Sequence, residues 1–157
     1  MARTTREQLS APFLPHLQPG ETVIAAAYGV KQPNLFLLLF LIALAVLPGL
    51  IAVFLLTKNY LVALTDRRLL VMRTKNASDF EMKELMEYSR EELPGLKTKT
   101  STGAIFTHIA IKDETRPFVA KFHRAFCPTN REDAVAIAAA VDVKAIEMIE
   151  ATQTIEA

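Results

Sequence analysis

Residues 35–56 read LFLLLFLIALAVLPGLIAVFLL, and only Pro48 and Gly49 interrupt an otherwise wholly apolar stretch. About 22 such residues have to be covered, by lipid or by protein. As one helix they would run roughly 33 Å, long enough for a ~30 Å hydrocarbon core. The run does not read as a secretory signal. It begins about 34 residues in, and no small-residue cleavage site precedes the charged Lys58. The whole chain is 51% hydrophobic and 22% charged, and outside the run its composition is close to that of an ordinary globular domain. A length of 157 residues fits one domain. Neither a disordered chain nor a multi-span transporter fits this pattern.

Eighteen Lys and Arg against 17 Asp and Glu leave a net charge of +1, which gives no electrostatic footprint for nucleic acid. The one cysteine, Cys127, cannot form an internal disulfide, so the framework of a small secreted domain is excluded.

Around the run the chain reads mainly as strands. Residues 1–19 form a polar segment in which Pro12, Pro15 and Pro19 prevent a long helix, though 4–11 could make a turn or two. After the Pro19-Gly20 turn, residues 21–30 read as a strand, and Pro33 and Asn34 then break the chain. Residues 60–65 and 69–74 form a hairpin about the turn TDRR. Residues 80–89 are ambiguous between strand and helix, and 90–95 suit a short helical turn ended by Pro94-Gly95. The alternating Lys and Thr of 96–101 suit an exposed strand, and 104–112 with 116–126 form a second hairpin. A helix follows Pro128. Thr129 and Glu132 fit a capping box, and Ala134, Ala138, Val141, Ala145, Ile149 and Thr152 make one apolar stripe. The order predicts about seven strands and a closing C-terminal helix.

The stretch PGETVIAAAYGV, then an apolar segment, then YLVALTDRRLLVMR resembles the bacterial pleckstrin-homology-like domain proteins. Their pattern of a Glu-x-Val strand, a membrane segment and a Tyr-x-hydrophobic-Thr-Asp-Arg-Arg-Leu hairpin matches at Glu21, Val23, Tyr60, Leu64, Thr65, Asp66, Arg67, Arg68 and Leu69. The resemblance covers roughly positions 19–150. It implies a seven-stranded barrel or sandwich closed by a helix. Relatives carry about two full spans where this chain has about 22 residues broken by Pro-Gly.

Topology narrows what the run can do. If strand 21–30 joins the sheet of 60–74, both ends of 35–56 must lie on one side of a membrane. A hairpin broken at Pro48-Gly49 satisfies this. Its arms, 34–47 and 50–57, are about 21 and 12 Å as helices, so neither crosses the core. The expected layout is therefore a polar segment 1–19, a pleckstrin-homology-like domain 20–151 interrupted by a membrane hairpin 34–57, and a tail 152–157. The fold class is mainly β with a C-terminal helix (α+β). A single span and a soluble oligomer core stand as alternatives. The inserting residues would be Leu35, Phe36, Leu39, Phe40, Leu44 and Leu47, the turn Pro48, and Leu50, Ile51, Phe54 and Leu55. Lys31 and Lys58 flank the run, and with Arg67 and Arg68 they are candidates for headgroup contact; Arg73 and Lys75 complete a basic group around the first hairpin.

No catalytic constellation stands out, and neither an enzyme nor a cofactor is expected. His16, His108 and His123 match no metal spacing, and pairing 112 with 115 would leave His108 and His123 out of opposition. Cys127 between Phe126 and Pro128 reads as a buried thiol. The acidic stretch Asp79, Glu81, Glu84, Glu87, Glu91 and Glu92 lacks the spacing of a calcium loop and reads as a solvated face. The strands after it are basic. An acidic and a basic edge would suit head-to-tail assembly, with Glu84, Glu87, Lys97, Lys99 and Lys121 as interface candidates. The expected function is a membrane-anchored scaffold or adaptor that self-assembles on the cytoplasmic face. Its partners would be membrane lipids and further copies, with no nucleic acid. A reversible anionic-lipid- or peptide-binding module and an accessory subunit alongside other membrane proteins are the alternatives.

Overall fold

The computed structural model describes residues 4–44, 46–75 and 80–142. Seven antiparallel strands form one sheet: β1 (Val23–Lys31), β2 (Lys58–Thr65), β3 (Arg68–Thr74), β4 (Met82–Ser89), β5 (Lys97–Thr102), β6 (Phe106–Lys112) and β7 (Phe118–His123). Their order across the sheet is β4-β3-β2-β1-β7-β6-β5. Four helices accompany them: α1 (Arg6–Ser10), α2 (Leu35–Leu44), α3 (Val46–Leu56) and α4 (Asn130–Val141). Seven strands followed by a closing helix is the order the sequence predicts. The ambiguous segment 80–89 is strand β4, and 93–95 is a single 3-10 turn.

The sheet is covered on both sides. On one, α4 packs Ala134, Ile137, Ala138 and Val141 against Val62, Val71, Ile109, Phe118 and Phe122. On the other, Leu9 and Phe13 lie over Ala26, Tyr28, Leu61, Leu70 and Met72, with Cys127 buried beside them. The polar N-terminal segment thus contributes Leu9 and Phe13 to the core. Leu9 is 1% exposed and Phe13 is fully buried. Four residues apart, they fall on one face of α1 and the 3-10 turn Ala11–His16 that follows it. Thr5 and Gln8 close a full capping box on α1, which lets so short a helix form ahead of Pro12.

Several local expectations change. Thr129 occupies the N-cap of α4, yet its side chain does not cap. It lies 3.3 Å from the Cys127 sulfur instead. Asn130 does the tying. Its Oδ1 accepts from the Tyr28 N–H at 2.7 Å, and its Nδ2 donates to the carbonyls of Tyr28 (3.1 Å) and His123 (2.9 Å). That clamp joins β1, the end of β7 and α4 where the β1–β7 ladder is short. The β6–β7 register is two residues longer than predicted, because Ile111 pairs with Phe118. Asp113 holds its own turn by accepting from the Thr115 N–H at 2.9 Å, and Pro117 has no N–H to give the ladder. His108 therefore faces Lys121 and His123 faces Phe106. The predicted stripe positions Ala145, Ile149 and Thr152 and the tail 152–157 lie outside the described residues, as does Asp79.

The apolar run forms two helices of 10 and 11 residues, about 15 and 16 Å long. Among the described residues no helix is long and apolar enough to cross a membrane. α2 ends at Leu44 and α3 begins at Val46, so Pro48-Gly49 do not divide the helices and sit inside the first turn of α3. Pro is tolerated there because the first N–H groups of a helix have no partner within it. Gly49 serves a different purpose. A Cβ on it would collide with the carbonyl oxygen of Leu41, so only glycine lets the α3 backbone lie against α2. Asn34 caps α2 by accepting from the Phe36 N–H at 3.1 Å.

Candidate membrane-contact site

The site is built where α2 and α3 leave the sheet. β1 ends at Lys31 and β2 begins at Lys58, and these two residues are register partners. Both ends of the apolar segment are therefore held within one strand spacing, at one end of the sheet. Most of the large apolar side chains exposed among the described residues lie between Phe36 and Leu56. Phe36 is 80% exposed, and Phe54 and Leu55 are each 75% exposed. Leu39, Phe40, Leu44, Leu47, Pro48, Leu50 and Ile51 are exposed as well. Leu35 opens α2. The less exposed Leu41, Ile42, Ala52 and Val53, with the buried Gly49, mark where the two helices meet. No polar face exists on either helix, so water has nothing to solvate along them.

Cations gather at the foot of this pair. A cleft of about 300 Å³ is lined by Phe54, Leu55, Leu56 and Thr57 on the α3 side, and by Lys58, Arg73, Thr74, Lys75 and Lys83 on the sheet side. Arg73 lies 3.5 Å from Glu84, and Lys75 lies 3.3 Å from Glu81. Among the described residues Lys31, Lys58 and Lys83 form no ion pair. Two lysines directly opposite on neighbouring strands repel, and an anion between them relieves that repulsion. The cleft thus presents apolar wall above and positive charge below.

Arg67 and Arg68 do not belong to it. They sit at the other end of β2, roughly 23 Å along the strand from Lys58. Arg68 is also engaged within the domain. Its Nε donates to Glu21 Oε1 at 2.9 Å, and Nη2 donates to Glu21 Oε2 and the His16 carbonyl, both at 2.8 Å. Its Nη1 donates to Glu87 at 2.6 Å. Glu21 further accepts from Thr65 Oγ1 at 2.7 Å and from the Gln18 N–H at 2.7 Å. Thr65 Oγ1 in turn accepts from the Arg68 N–H at 2.9 Å, and Asp66 accepts from the Thr22 N–H at 3.0 Å. The Arg68 guanidinium, outweighing burial, holds the Glu21 carboxyl down at about 2. The residues of the Glu-x-Val and Thr-Asp-Arg-Arg motif therefore form one clasp that ties the entry of β1 to the β2–β3 turn. Arg67 is half-exposed and lies 3.8 Å from Asp66.

The assembly candidates divide similarly. β4 and β5 are the two edges of the sheet, so acidic and basic strands do stand at opposite ends. Glu84 and Glu87, however, already pair with Arg73 and Arg68 on the adjoining β3. Lys97 and Lys99 lie on edge strand β5, and Lys121 on β7 stacks over the Phe106 ring at 5.6 Å. Burial, helped by Lys121 and Lys99, lowers the His108 pKa and favours its neutral ring. Among the described residues no group of three His, Cys, Asp or Glu could hold a metal. Sequence reasoning grouped Arg73 and Lys75 with Arg67 and Arg68 and not with Lys58, and it missed Lys83. Arg73 and Lys75 lie near the end of β3 that pairs with the start of β2, so the hairpin register was the signal for those two.

No protein-family model matches the chain, and neither does any curated protein sequence. Two solved structures are similar. One is a pleckstrin homology domain from Shewanella amazonensis SB2B, at 14% identity over 90% of this chain and 98% of that one, with a TM-score of 0.38. The other is the hSac2 domain of the human phosphoinositide phosphatase Sac2, at 12% identity over 98% of this chain and 86% of that one, with a TM-score of 0.39. The strand order follows from the hydrogen-bonded ladders, and the closing helix from its packing on the sheet.

Proposed function

We propose that this protein is a non-enzymatic, membrane-anchored scaffold. The α2–α3 pair enters the hydrocarbon of one leaflet, and the sheet domain stands at the cytoplasmic face. The observation that carries this reading is the pair itself: two helices, apolar on their exposed sides, projecting from one end of a folded domain with lysines at their foot. An exposed apolar surface of this extent marks a site of interaction. Lipid is favoured over a protein groove because the cations sit where phosphate headgroups would lie. Each contributes about 1 kcal/mol near an anionic surface. The buried apolar area far exceeds that of one myristoyl chain, which is near the threshold of stable attachment, so anchoring is effectively permanent. Self-assembly through the open sheet edges is the second part of the reading.

Co-flotation of the full chain with phosphatidylethanolamine–phosphatidylglycerol vesicles tests it. The chain should float and remain bound in high salt and in alkaline carbonate. Replacing Phe36, Phe40 and Phe54 with Lys should leave a folded chain that no longer floats. Release by salt alone would make the protein the reversible anionic-lipid module. Failure of the intact chain to float would remove the membrane reading.

A further inference from the structure

We propose that the α2–α3 pair is a one-leaflet wedge that sorts this protein onto convex membranes; the inference rests on the membrane reading above. Depth is set by length. The helices are about 15 and 16 Å long, roughly half of a ~30 Å hydrocarbon core. Lys31 and Lys58 are register partners, so both helices start from the same membrane surface. Leu44 and Val46, at the far ends, are exposed and apolar and face hydrocarbon without reaching the opposite headgroups. A helix that lies flat in the interface needs a charged or polar face to keep in water. Neither helix has one, so the pair stands in the leaflet.

Width follows from the contact at Gly49. The two backbones touch there, and the pair enters as one body. Two packed helices, each about 10–12 Å across, displace on the order of 200 Å² of one leaflet and nothing of the other. The folded domain and its cations prevent deeper entry. Inserting area on one side only is least unfavourable where that side is already stretched, which is the outer surface of a tightly curved membrane.

The test is a competition. Full-length protein in detergent is diluted into a mixture of vesicles about 50 nm and about 400 nm across, of one phosphatidylethanolamine–phosphatidylglycerol composition, each size with its own fluorescent lipid. The two populations are separated by size, and protein is measured per outer-leaflet lipid. The wedge predicts at least about threefold enrichment on the small vesicles. Equal loading, or enrichment on the large ones, would overturn the wedge while leaving the anchor intact. Binding to neither would overturn both.

Discussion

At the scale of single residues, Glu21 and Arg68 show why a motif can be visible in sequence while its role is not. Two adjacent arginines on a turn read as a headgroup site, because nothing in the letters tells whether a guanidinium faces water. Here Arg68 spends its donors on Glu21, Glu87 and the His16 carbonyl. The clasp has a pH signature. The Glu21 carboxyl is lowered from 4.5 to about 2 on folding, so the unfolded chain takes up a proton first as pH falls. Its stabilisation is complete above about 4.5 and is lost as pH drops towards about 2, a loss of roughly 3 kcal/mol. Urea unfolding at neutral pH and near pH 3 should show about 2 kcal/mol of this loss, because the folded-state carboxylate is still largely ionised at pH 3, and Glu21→Gln should flatten it. The variant should also be about 3 kcal/mol less stable at pH 7, since it leaves a mostly buried guanidinium with only the more exposed carboxylate of Glu87. An unchanged pH slope in Glu21→Gln would mean that other carboxylates govern acid unfolding.

At the scale of elements, the strands were legible from their apolar runs and turns, whereas the cover over their outer face was not. Residues 60–65 and 69–74 are nearly continuous apolar runs. Such runs mark strands buried on both faces, which calls for a second covering layer. That layer is α1 and its 3-10 turn, disguised by three prolines and polar neighbours. Phe13→Ala should lower stability by about 3–5 kcal/mol. The neighbouring Leu14→Ala should stay within about 0.5 kcal/mol, because Leu14 is 61% exposed. Thermal melts of the two variants in the same detergent decide this, and equal effects would deny the segment its place in the core. Pro48-Gly49 was read as the turn because that pair so often makes one. In α3 the glycine provides close approach and the proline takes a free N–H position. Gly49→Leu should therefore push the helices apart by at least about 2 Å, read by pulsed EPR between labels at Phe36 and Leu55. Pro48→Ala should leave that distance unchanged, whereas a true Pro-Gly turn would respond to both.

At the scale of the whole molecule, charge falls into separate regions, and each proposed contact can be tested by itself. The basic strand β5 is an edge of the sheet, whereas Glu84 and Glu87 on β4 already have partners in the same chain. Charge reversal at Glu84 and Glu87 would thus disturb the clasp and the β3–β4 pair as well as any contact between copies. Lys97→Glu with Lys99→Glu is the cleaner test. A self-assembling protein should fall in oligomeric mass without losing stability, as read by light scattering and a thermal melt. The cations at the foot of α2 and α3 were only half legible. Lys31 and Lys58 flank the apolar run and are visible in one dimension, but Lys75 and Lys83 join them only through the β2–β3–β4 register. If this foot meets headgroups, Lys58→Glu with Lys83→Glu should reduce the preference for phosphatidylglycerol over neutral lipid by roughly tenfold or more, at about 1 kcal/mol for each cation removed and a further penalty for each acid introduced. Attachment itself should persist, because the apolar pair is untouched. Arg67→Glu, at the far end of β2, should change neither property. Vesicle flotation across a series of phosphatidylglycerol fractions separates these outcomes. Equal responses to Arg67→Glu and to the foot variant would mean that the anionic surface senses only net charge, and that the cleft at the base of α3 has no place in recognition.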